Sequence, residues 1–314
     1  MEVVHLQHPP EFREDDVHPK VMALGYFDGV HIGHKKVIQK SIDIARHLGT
    51  EAAVMTFHPH PSAVIKHLTT REDYITPPQE KVRILEEMGI ERLYFVTFDH
   101  AFSQLSPQTF VDDYLAGLGA KHVVAGYDFT YGKKAQGTME NIATFARNNF
   151  DYTVISKVNV HDEKVSTTKI RGLILDGEVD KVPDYLGRYY QLSGEVVHGD
   201  KRGRELGFPT ANVQCDEPYV IPNKGVYAVK AWTSSQSFYG VASIGERPTF
   251  YSESQPVLVE VYLFHFTGDL YGERLTVEWY QRLRDEVAFS NARELVEQMN
   301  QDKEDALRYF KLKY

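Results

Sequence analysis

The clearest chemical signal in the sequence is a pair of histidines, His31 and His34, in the string GYFDGVHIGH at residues 25–34. A predicted strand at 21–24 precedes this string, and a predicted helix follows it. A helix N-terminus at the end of a parallel strand presents free N–H groups to an anion, and glycine lets the backbone approach a phosphate closely. Imidazoles can donate hydrogen bonds to oxygens that gain charge during displacement at phosphorus. One histidine at a helix start is commonly a cap, but the pair indicates a site that handles phosphate.

Three other polar loops follow predicted strands of the same region. They are FHPHP at 57–61, GYDFTYGK at 126–133 and STTKIR at 166–171. Because the carboxyl ends of parallel strands meet at one edge of a sheet, we expect these loops to converge. The hydroxyls and cations of STTKIR suit a triphosphate. Taken singly, the three strings are also consistent with a turn, a packed aromatic corner and a helix cap.

A second candidate site lies in the glycine- and cation-rich string at 194–212, which lacks the spacing of a Walker P-loop. Its glycines and cations could still wrap a polyphosphate. The residues placed to do so are Gly199, Lys201, Gly203, Arg204 and Gly207. Thr210 and Asn212 then offer neutral oxygen ligands for magnesium. A solvated surface turn is the alternative.

Glu260 is the remaining residue with a candidate role. In the string VLVEVYLF at 257–264 both alternating faces are apolar, so this carboxylate interrupts one of them. Burying a carboxylate is costly unless it is paired or used. An edge-strand glutamate that points to water is the alternative, and Glu278, on the polar side of a clean alternation, fits that alternative better.

The sequence has two regions with different patterns of apolar and polar residues, and each region contains one of the candidate sites. From Val21 to about Ile155, short apolar runs alternate with amphipathic stretches, which predicts an open α/β domain with a parallel sheet covered on both faces. After about Asp184, strand-like runs follow one another with polar turns, which predicts an antiparallel sheet or small barrel. Helical spacing returns near the C-terminus, where Asn291 and Glu294 suggest a capping box. We place the domain boundary between residues 185 and 186.

Composition narrows the class of protein. The 314 residues suggest about two domains, and 42% hydrophobic with 25% charged residues is typical of a globular chain. A net charge of −9 argues against a nucleic-acid or anionic-membrane partner. A single cysteine, no membrane-spanning apolar run and no signal-like N-terminus favour the cytoplasm. A homo-oligomer is compatible with the sequence.

The strings GYFDGVHIGH, TFHPHP, GYDFTYGK and STTKIR resemble the adenylyltransferase half of the prokaryotic bifunctional riboflavin kinase/FAD synthetase family. The second half resembles the riboflavin kinase module of that family through residues 194–212, SIGERPTF at 243–250, and the segments around Glu260 and Tyr271. His58, Asp128 and Ser243 depart from residues frequent in the family. The resemblance implies a Rossmann-like nucleotidylyltransferase domain with a parallel sheet at 1–185 and a small Greek-key β-barrel with a terminal helix at 186–314.

The resemblance also implies an activity: riboflavin is phosphorylated to FMN with ATP and magnesium, and a second ATP adenylylates FMN to FAD. In the adenylyltransferase, ATP would contact Gly25, Phe27, Asp28, Gly33, Ser166, Thr167 and Thr168, with His31, His34 and Arg171 as catalytic residues. FMN would contact His58, Pro59, Asp128, Phe129 and Tyr131. In the kinase, ATP would contact Gly199, Lys201, Gly203, Arg204, Gly207 and Pro209, magnesium Thr210 and Asn212, and Glu260 would be the general base. A nucleotidylyltransferase for another small acceptor and a flavin- or nucleotide-binding sensor are the alternatives.

Overall fold

The computed structural model describes residues 1–13, 16–60, 64, 73–199, 207–215, 217–245 and 258–311. The chain divides into two compact units. The first unit comprises Met1–Glu72 and Thr76–Ser166, and the second comprises Asp73–Ile75 and Thr167–Tyr314.

The first unit is an α/β unit. Its described strands are β1 (Glu2–Leu6), β2 (Lys20–Leu24), β3 (Glu51–His58), β4 (Arg92–Thr97), β5 (Ala120–Gly126), β6 (Thr130–Tyr131), β7 (Gly137–Thr138), β8 (Asp151–Ile155), β9 (Asn159–Val160) and β10 (Glu163–Lys164). Its described helices are α1 (Ile32–Leu48), α2 (Pro78–Glu87), α3 (His100–Ser103), α4 (Pro107–Phe110), which continues as a π-helical stretch at Val111–Ala116, and α5 (Ile142–Ala146). A short 3₁₀ turn spans Lys133–Ala135.

The main sheet of the first unit has the strand order β1-β4-β3-β2-β5-β8, and every neighbouring pair is parallel. From β2 the chain continues to β3 on one side, and it later returns to β5 on the other side of β2. The strand order therefore reverses between β2 and β5. In open parallel sheets the carboxyl ends of two such strands flank the ligand crevice.

The inner strands of this sheet are buried on both faces, which is why they appear in the sequence as apolar runs. Along β2, Val21 and Ala23 pack into the core on one face, whereas Met22 and Leu24 pack into the core on the other. Helix α1 covers the first of these faces with its buried apolar stripe, and it ends at Gly49, whose φ of 63° is left-handed.

The second unit is a closed antiparallel barrel with helices. Its described elements are α6 (Thr167–Leu175), α7 (Val182–Leu186), β11 (Tyr190–Val197), β12 (Thr210–Gln214), β13 (Gly225–Trp232), β14 (Ser237–Ile244), β15 (Leu258–Leu263), β16 (Arg274–Arg284) and α8 (Ala292–Tyr309). The barrel order is β11-β12-β15-β14-β13-β16. Strands β13, β14 and β15 are consecutive neighbours and β16 returns to lie beside β13, which is a Greek key. Helix α8 packs on the barrel through Ala306 and Leu307.

The expected fold class is confirmed in both halves, and so is the helix start at Asn291, whose side chain accepts a hydrogen bond from the backbone N–H of Glu294 at 3.0 Å. Strand β1 was not predicted. Its five residues give no length for periodicity, and it exists because it pairs with β4. Apart from residues 73–75, the boundary between the two compact units lies between residues 166 and 167, whereas the sequence analysis places the domain boundary between residues 185 and 186.

Candidate active sites

The loop between β2 and α1 lies at the carboxyl end of β2, where the strand order reverses. Three positions of this loop have left-handed backbone: Phe27 (φ 53°), Gly29 (φ 84°) and Val30 (φ 42°). A positive φ is strained for phenylalanine and for a β-branched valine, and such strain persists only where the surroundings enforce it. Both side chains are at most 1% exposed, so core packing holds the loop in this shape.

His31 is the N-cap of α1. Its Nδ1 accepts a hydrogen bond from the backbone N–H of His34 at 3.2 Å. A ring nitrogen that accepts a hydrogen bond carries no proton, so neutral His31 holds its proton on Nε2, where it can be donated. The cap and the donor are therefore two functions of one imidazole.

The two imidazoles of the pair are stacked, with ring centroids 3.5 Å apart and an interplanar angle of 15°. The ring of Phe27 meets His34 edge-on at 5.2 Å. Glycine is required nearby, because a Cβ at Gly25 would lie 2.7 Å from the Phe27 ring and a Cβ at Gly33 would lie 3.1 Å from the His31 ring. Phe27, which we predicted as an ATP contact, lies in the core and supports His34.

The environment of His34 favours its neutral form. Burial lowers the pKa of His34 well below 6.5, and the nearby charges of His31 and Lys81 lower this pKa further. Its Nδ1 is buried and has no hydrogen-bond partner among the residues that the structure describes. A neutral ring here can donate or accept a hydrogen bond across neutral pH.

Asp28, another predicted ATP contact, is 1% exposed. Its Oδ1 accepts a hydrogen bond from the backbone N–H of Thr76 at 2.9 Å. This bond ties the loop to the segment that leads into α2.

The neighbouring strand ends carry the predicted flavin contacts. His58, at the end of β3, is exposed, and Pro59 follows it half-buried. After β5, Asp128 is exposed and its carboxylate accepts a hydrogen bond from Lys164 Nζ at 2.8 Å. Phe129 is half-buried and packs against the aromatic core.

Tyr131, the last of the predicted flavin contacts, is buried in the aromatic core. It is 5% exposed, and its ring packs near Phe110, Phe129 and Phe145. Burial raises the pKa of Tyr131 to about 12, and its hydroxyl has no hydrogen-bond partner within the described ranges.

The string STTKIR crosses the division between the units. Ser166 ends the first unit, and Thr167 begins α6 of the second. Within α6, Arg171 follows Thr167 by four positions and Thr168 by three, so each threonine neighbours Arg171 on the helix surface. Thr168 is exposed, and the other two are half-buried.

In the second unit, the strand register brings the predicted kinase residues together. Asn212 on β12 lies directly opposite Glu260 on β15, and Glu260 lies directly opposite Ser243 on β14. Thr210 precedes Asn212 by two residues and lies on the same face of β12. Residues that pair directly across strands point to the same face of the sheet, so the four side chains form one polar group.

Glu260 differs from our expectation in its surroundings. Its neighbours Val259 and Val261 are fully buried and point into the barrel, whereas Glu260 is exposed on the outer face. Strand β15 lies between β12 and β14, so it is not an edge strand either. The burial and the edge-strand position are therefore wrong, whereas exposure to water, which the alternative included, is confirmed, because period-2 alternation within a closed barrel places this position outside.

Gly199 lies against this polar group. A Cβ at residue 199 would lie 2.6 Å from Asn212 Cγ and 2.7 Å from Asn212 Oδ1. Asn212 itself is 8% exposed. Gly207, with a φ of 85°, and Pro209 are exposed. Lys201, Gly203 and Arg204 lie outside the described residues.

The donor chemistry of Thr210 and Asn212 fits magnesium, because this ion takes few protein oxygens and keeps water and phosphate oxygens in its remaining positions. A cluster of three or more histidine, cysteine, aspartate or glutamate side chains that could hold a metal is absent from the part of the chain that the structure describes. In the same part, no helix has both the length and the apolar character needed to cross a membrane.

Comparison with known proteins covers both units. A family model for FAD synthetase matches residues 13–169, and one for riboflavin kinase matches residues 186–310. The bifunctional riboflavin kinase/FMN adenylyltransferase of Bacillus subtilis is 45% identical over 312 residues, which are 99% of this chain and 98% of that one. The chain belongs to the bifunctional riboflavin kinase/FMN adenylyltransferase family.

Two further similarities cover nearly the whole chain. The protein of the same name from Listeria monocytogenes is 42% identical, covering 99% of this chain and 98% of that one. A crystal structure from Streptococcus pneumoniae, described as a macrolide-efflux protein, superposes with a TM-score of 0.86 at 32% identity, covering 97% of this chain and 98% of that one.

The sequence analysis did not predict one buried cation near the histidine pair, Lys81. Lys81 on α2 is 2% exposed and contributes to the electrostatics of His34. Its signal was its position, since Lys81 shares the buried helix face of Ile84 and Leu85.

Proposed function

We propose that this chain phosphorylates riboflavin to FMN with ATP and then adenylylates FMN to FAD with a second ATP. The observation that carries the proposal is that the two halves match separate enzyme families while each holds its own group of polar side chains. We assign the adenylyltransferase to residues 1–185 and the kinase to residues 186–314.

In the adenylyl transfer, a phosphate oxygen of FMN attacks the α-phosphorus of ATP, and the bond to the β-phosphate oxygen breaks to release pyrophosphate. His31 Nε2–H and His34 would donate hydrogen bonds to phosphate oxygens that gain charge as the bond forms. Gly25, Asp28 and Gly33 shape the loop that would hold the nucleotide. Ser166, Thr167, Thr168 and Arg171 would bind the outgoing phosphates. The stacked geometry supports this role, because it fixes both rings before the substrate arrives.

The flavin contacts of this unit are proposed at the carboxyl ends of β3 and β5. His58 and Pro59 lie at the first, and Asp128 and Phe129 lie at the second. For Tyr131 we propose an indirect contribution, in which its ring supports Phe129.

In the kinase, Glu260 would accept the proton of the riboflavin 5′-hydroxyl as it attacks the γ-phosphorus of ATP, and ADP would leave. Phosphoryl transfer needs an oriented nucleophile more than a strong base, so an exposed carboxylate can serve. Thr210 and Asn212 would hold magnesium, which would neutralise phosphate charge. Gly199, Lys201, Gly203, Arg204, Gly207 and Pro209 would enclose the polyphosphate.

We further propose that the protein works in the cytoplasm on small molecules and has neither a nucleic-acid nor a membrane partner. The net charge of −9 and the single cysteine, Cys215, support this proposal.

The test is to incubate purified protein with riboflavin, ATP and magnesium and to separate the flavins by chromatography over time. Wild type should form FMN and then FAD. His31→Asn keeps a good helix cap but lacks the imidazole, so it should stop at FMN, whereas His47→Asn, near the end of the same helix, should behave as wild type. Glu260→Gln should leave riboflavin unphosphorylated, whereas Glu278→Gln should not. If wild type changes neither riboflavin nor added FMN, the proposed function is wrong.

A further inference from the structure

Lys81 is a buried cation beside the histidine pair. It lies on α2 and is 2% exposed. Its Nζ donates a hydrogen bond to the backbone carbonyl of Tyr26 at 2.8 Å and lies 3.4 Å from Thr56 Oγ1. The same Nζ lies 4.8 Å from the centre of the Tyr26 ring. A buried lysine is costly unless its charge is used, which calls for a reason beyond packing.

The first use of Lys81 is to hold the loop. The Tyr26 carbonyl accepts a hydrogen bond from Thr56 Oγ1 at 2.8 Å in addition to the one from Lys81. Tyr26 immediately precedes Phe27, whose left-handed backbone turns its ring against His34. Two donors on one carbonyl therefore fix the start of the strained segment that supports His34.

The second use is electrostatic. The groups whose charges act on His34 are His31, stacked on it from the N-cap of α1, and Lys81 from α2. A fixed positive charge disfavours a second one nearby, so Lys81 opposes protonation of His34. Protonation of His34 would also place two cationic rings face to face if His31 were charged.

We propose that Lys81 is a positioning residue of the adenylyl-transfer site, which anchors the Tyr26 carbonyl and so holds the Phe27 ring against His34. This inference rests on the proposed adenylyltransferase function. A neutral His34 keeps its hydrogen-bonding pattern constant over the physiological pH range, and the positive charge of Lys81 adds to the potential that receives the phosphates of ATP.

The experiment separates the two uses with four variants. Lys81→Gln and Lys81→Met remove the charge, and Lys81→Arg keeps it. Thr56→Val removes one donor to the Tyr26 carbonyl while leaving the charge. Arg83→Met is the matched control, because it removes a cation from the exposed side of the same helix. The readouts are the titration of the His34 ring by NMR and the pH profile of FAD formation from FMN, with riboflavin phosphorylation by the same chain as a check on folded protein.

In the charge-removing variants we expect the titration of His34 and the acid limb of FAD formation to move to higher pH, because a charge that opposes protonation of His34 is gone. At pH 7 we expect kcat/KM for FAD formation to fall about tenfold or more. Lys81→Arg should leave the acid limb in place, and Thr56→Val should lower kcat/KM without moving it. Arg83→Met should match wild type in both.

An unchanged His34 titration in Lys81→Gln and Lys81→Met would overturn the electrostatic part, and an unchanged kcat/KM would overturn the positioning part. If neither variant folds, Lys81 is a structural residue and the proposal is wrong. Wild type that makes no FAD would contradict the proposed function instead, while the His34 titration would still decide the electrostatic part.

Discussion

Replacing Gly199 with alanine tests whether the kinase depends on the placement of Asn212. The added Cβ would lie 2.6 Å from Asn212 Cγ, whereas ordinary contact begins near 3.4 Å. Asn212 Nδ2 would lie closer still, so the amide would have to retreat by about 1 Å. The backbone at Gly199 is not left-handed, so the effect is steric and not conformational.

A displacement of about 1 Å at a catalytic group can cost about 10²-fold in rate. We therefore expect kcat/KM for riboflavin phosphorylation to fall about 10²-fold, or about 2.7 kcal/mol in transition-state stabilisation. FAD formation from added FMN should stay within about twofold of wild type, because Gly199 and Asn212 belong to the other unit.

The assay is the initial rate of FMN formation at several riboflavin concentrations. Gly172→Ala is the matched control, since a Cβ at that glycine meets no atom within 4 Å. The double variant Gly199→Ala/Asn212→Ala should be no slower than Asn212→Ala alone, because the clash is with the Asn212 side chain. Riboflavin phosphorylation by Gly199→Ala within threefold of wild type would refute the reasoning.

Other predictions concern stability and the aromatic core. Asp302→Asn should lower the free energy of unfolding by about 3 kcal/mol, because Asp302 is 5% exposed and accepts two hydrogen bonds of 2.7 Å from Arg284. Urea unfolding measures the loss, with exposed Glu297→Gln on the same helix as the control, and a loss under about 1 kcal/mol would contradict the prediction. Burial lowers the pKa of Lys20 to about 8 from 10.5, so between these pH values the unfolded chain binds a proton that the folded chain does not. The free energy of unfolding should therefore rise with pH in wild type relative to Lys20→Met, and parallel curves of that free energy against pH would count against the prediction. Tyr131→Phe removes a buried hydroxyl that has no hydrogen-bond partner within the described ranges, so it should leave the free energy of unfolding unchanged or raise it by about 1 kcal/mol. It should also leave KM for FMN unchanged, and a raised KM would show that the hydroxyl contacts the flavin.

Local pattern was enough to predict most elements of this protein. Strands β2 to β5 are apolar on both faces because both faces of this part of the sheet are covered, and apolar runs of that kind are visible in the sequence. The helix start at Asn291 was predicted from its capping residue, and the Asn291 side chain accepts the expected backbone hydrogen bond.

The predictions failed where a residue's surroundings come from distant parts of the chain. β1 is too short to show a period and is stabilised by β4, which lies about 90 residues later. The exposure of Glu260 depends on barrel closure, and the burial of Lys81 depends on α2 packing beneath the loop after β2.

The fold class and the residue types available for phosphate chemistry could be predicted from composition, periodicity and short stretches of chain, and the enzyme family from the resemblance of its motif strings. How those residues act depends on the folded arrangement. It stacked His34 on His31, placed Asn212 opposite Glu260 across two strands and brought the charge of Lys81 to His34. Asn212 and Glu260, and likewise Lys81 and His34, are distant along the chain, and the energies of all three interactions depend on distance and burial, which the folded arrangement alone defines.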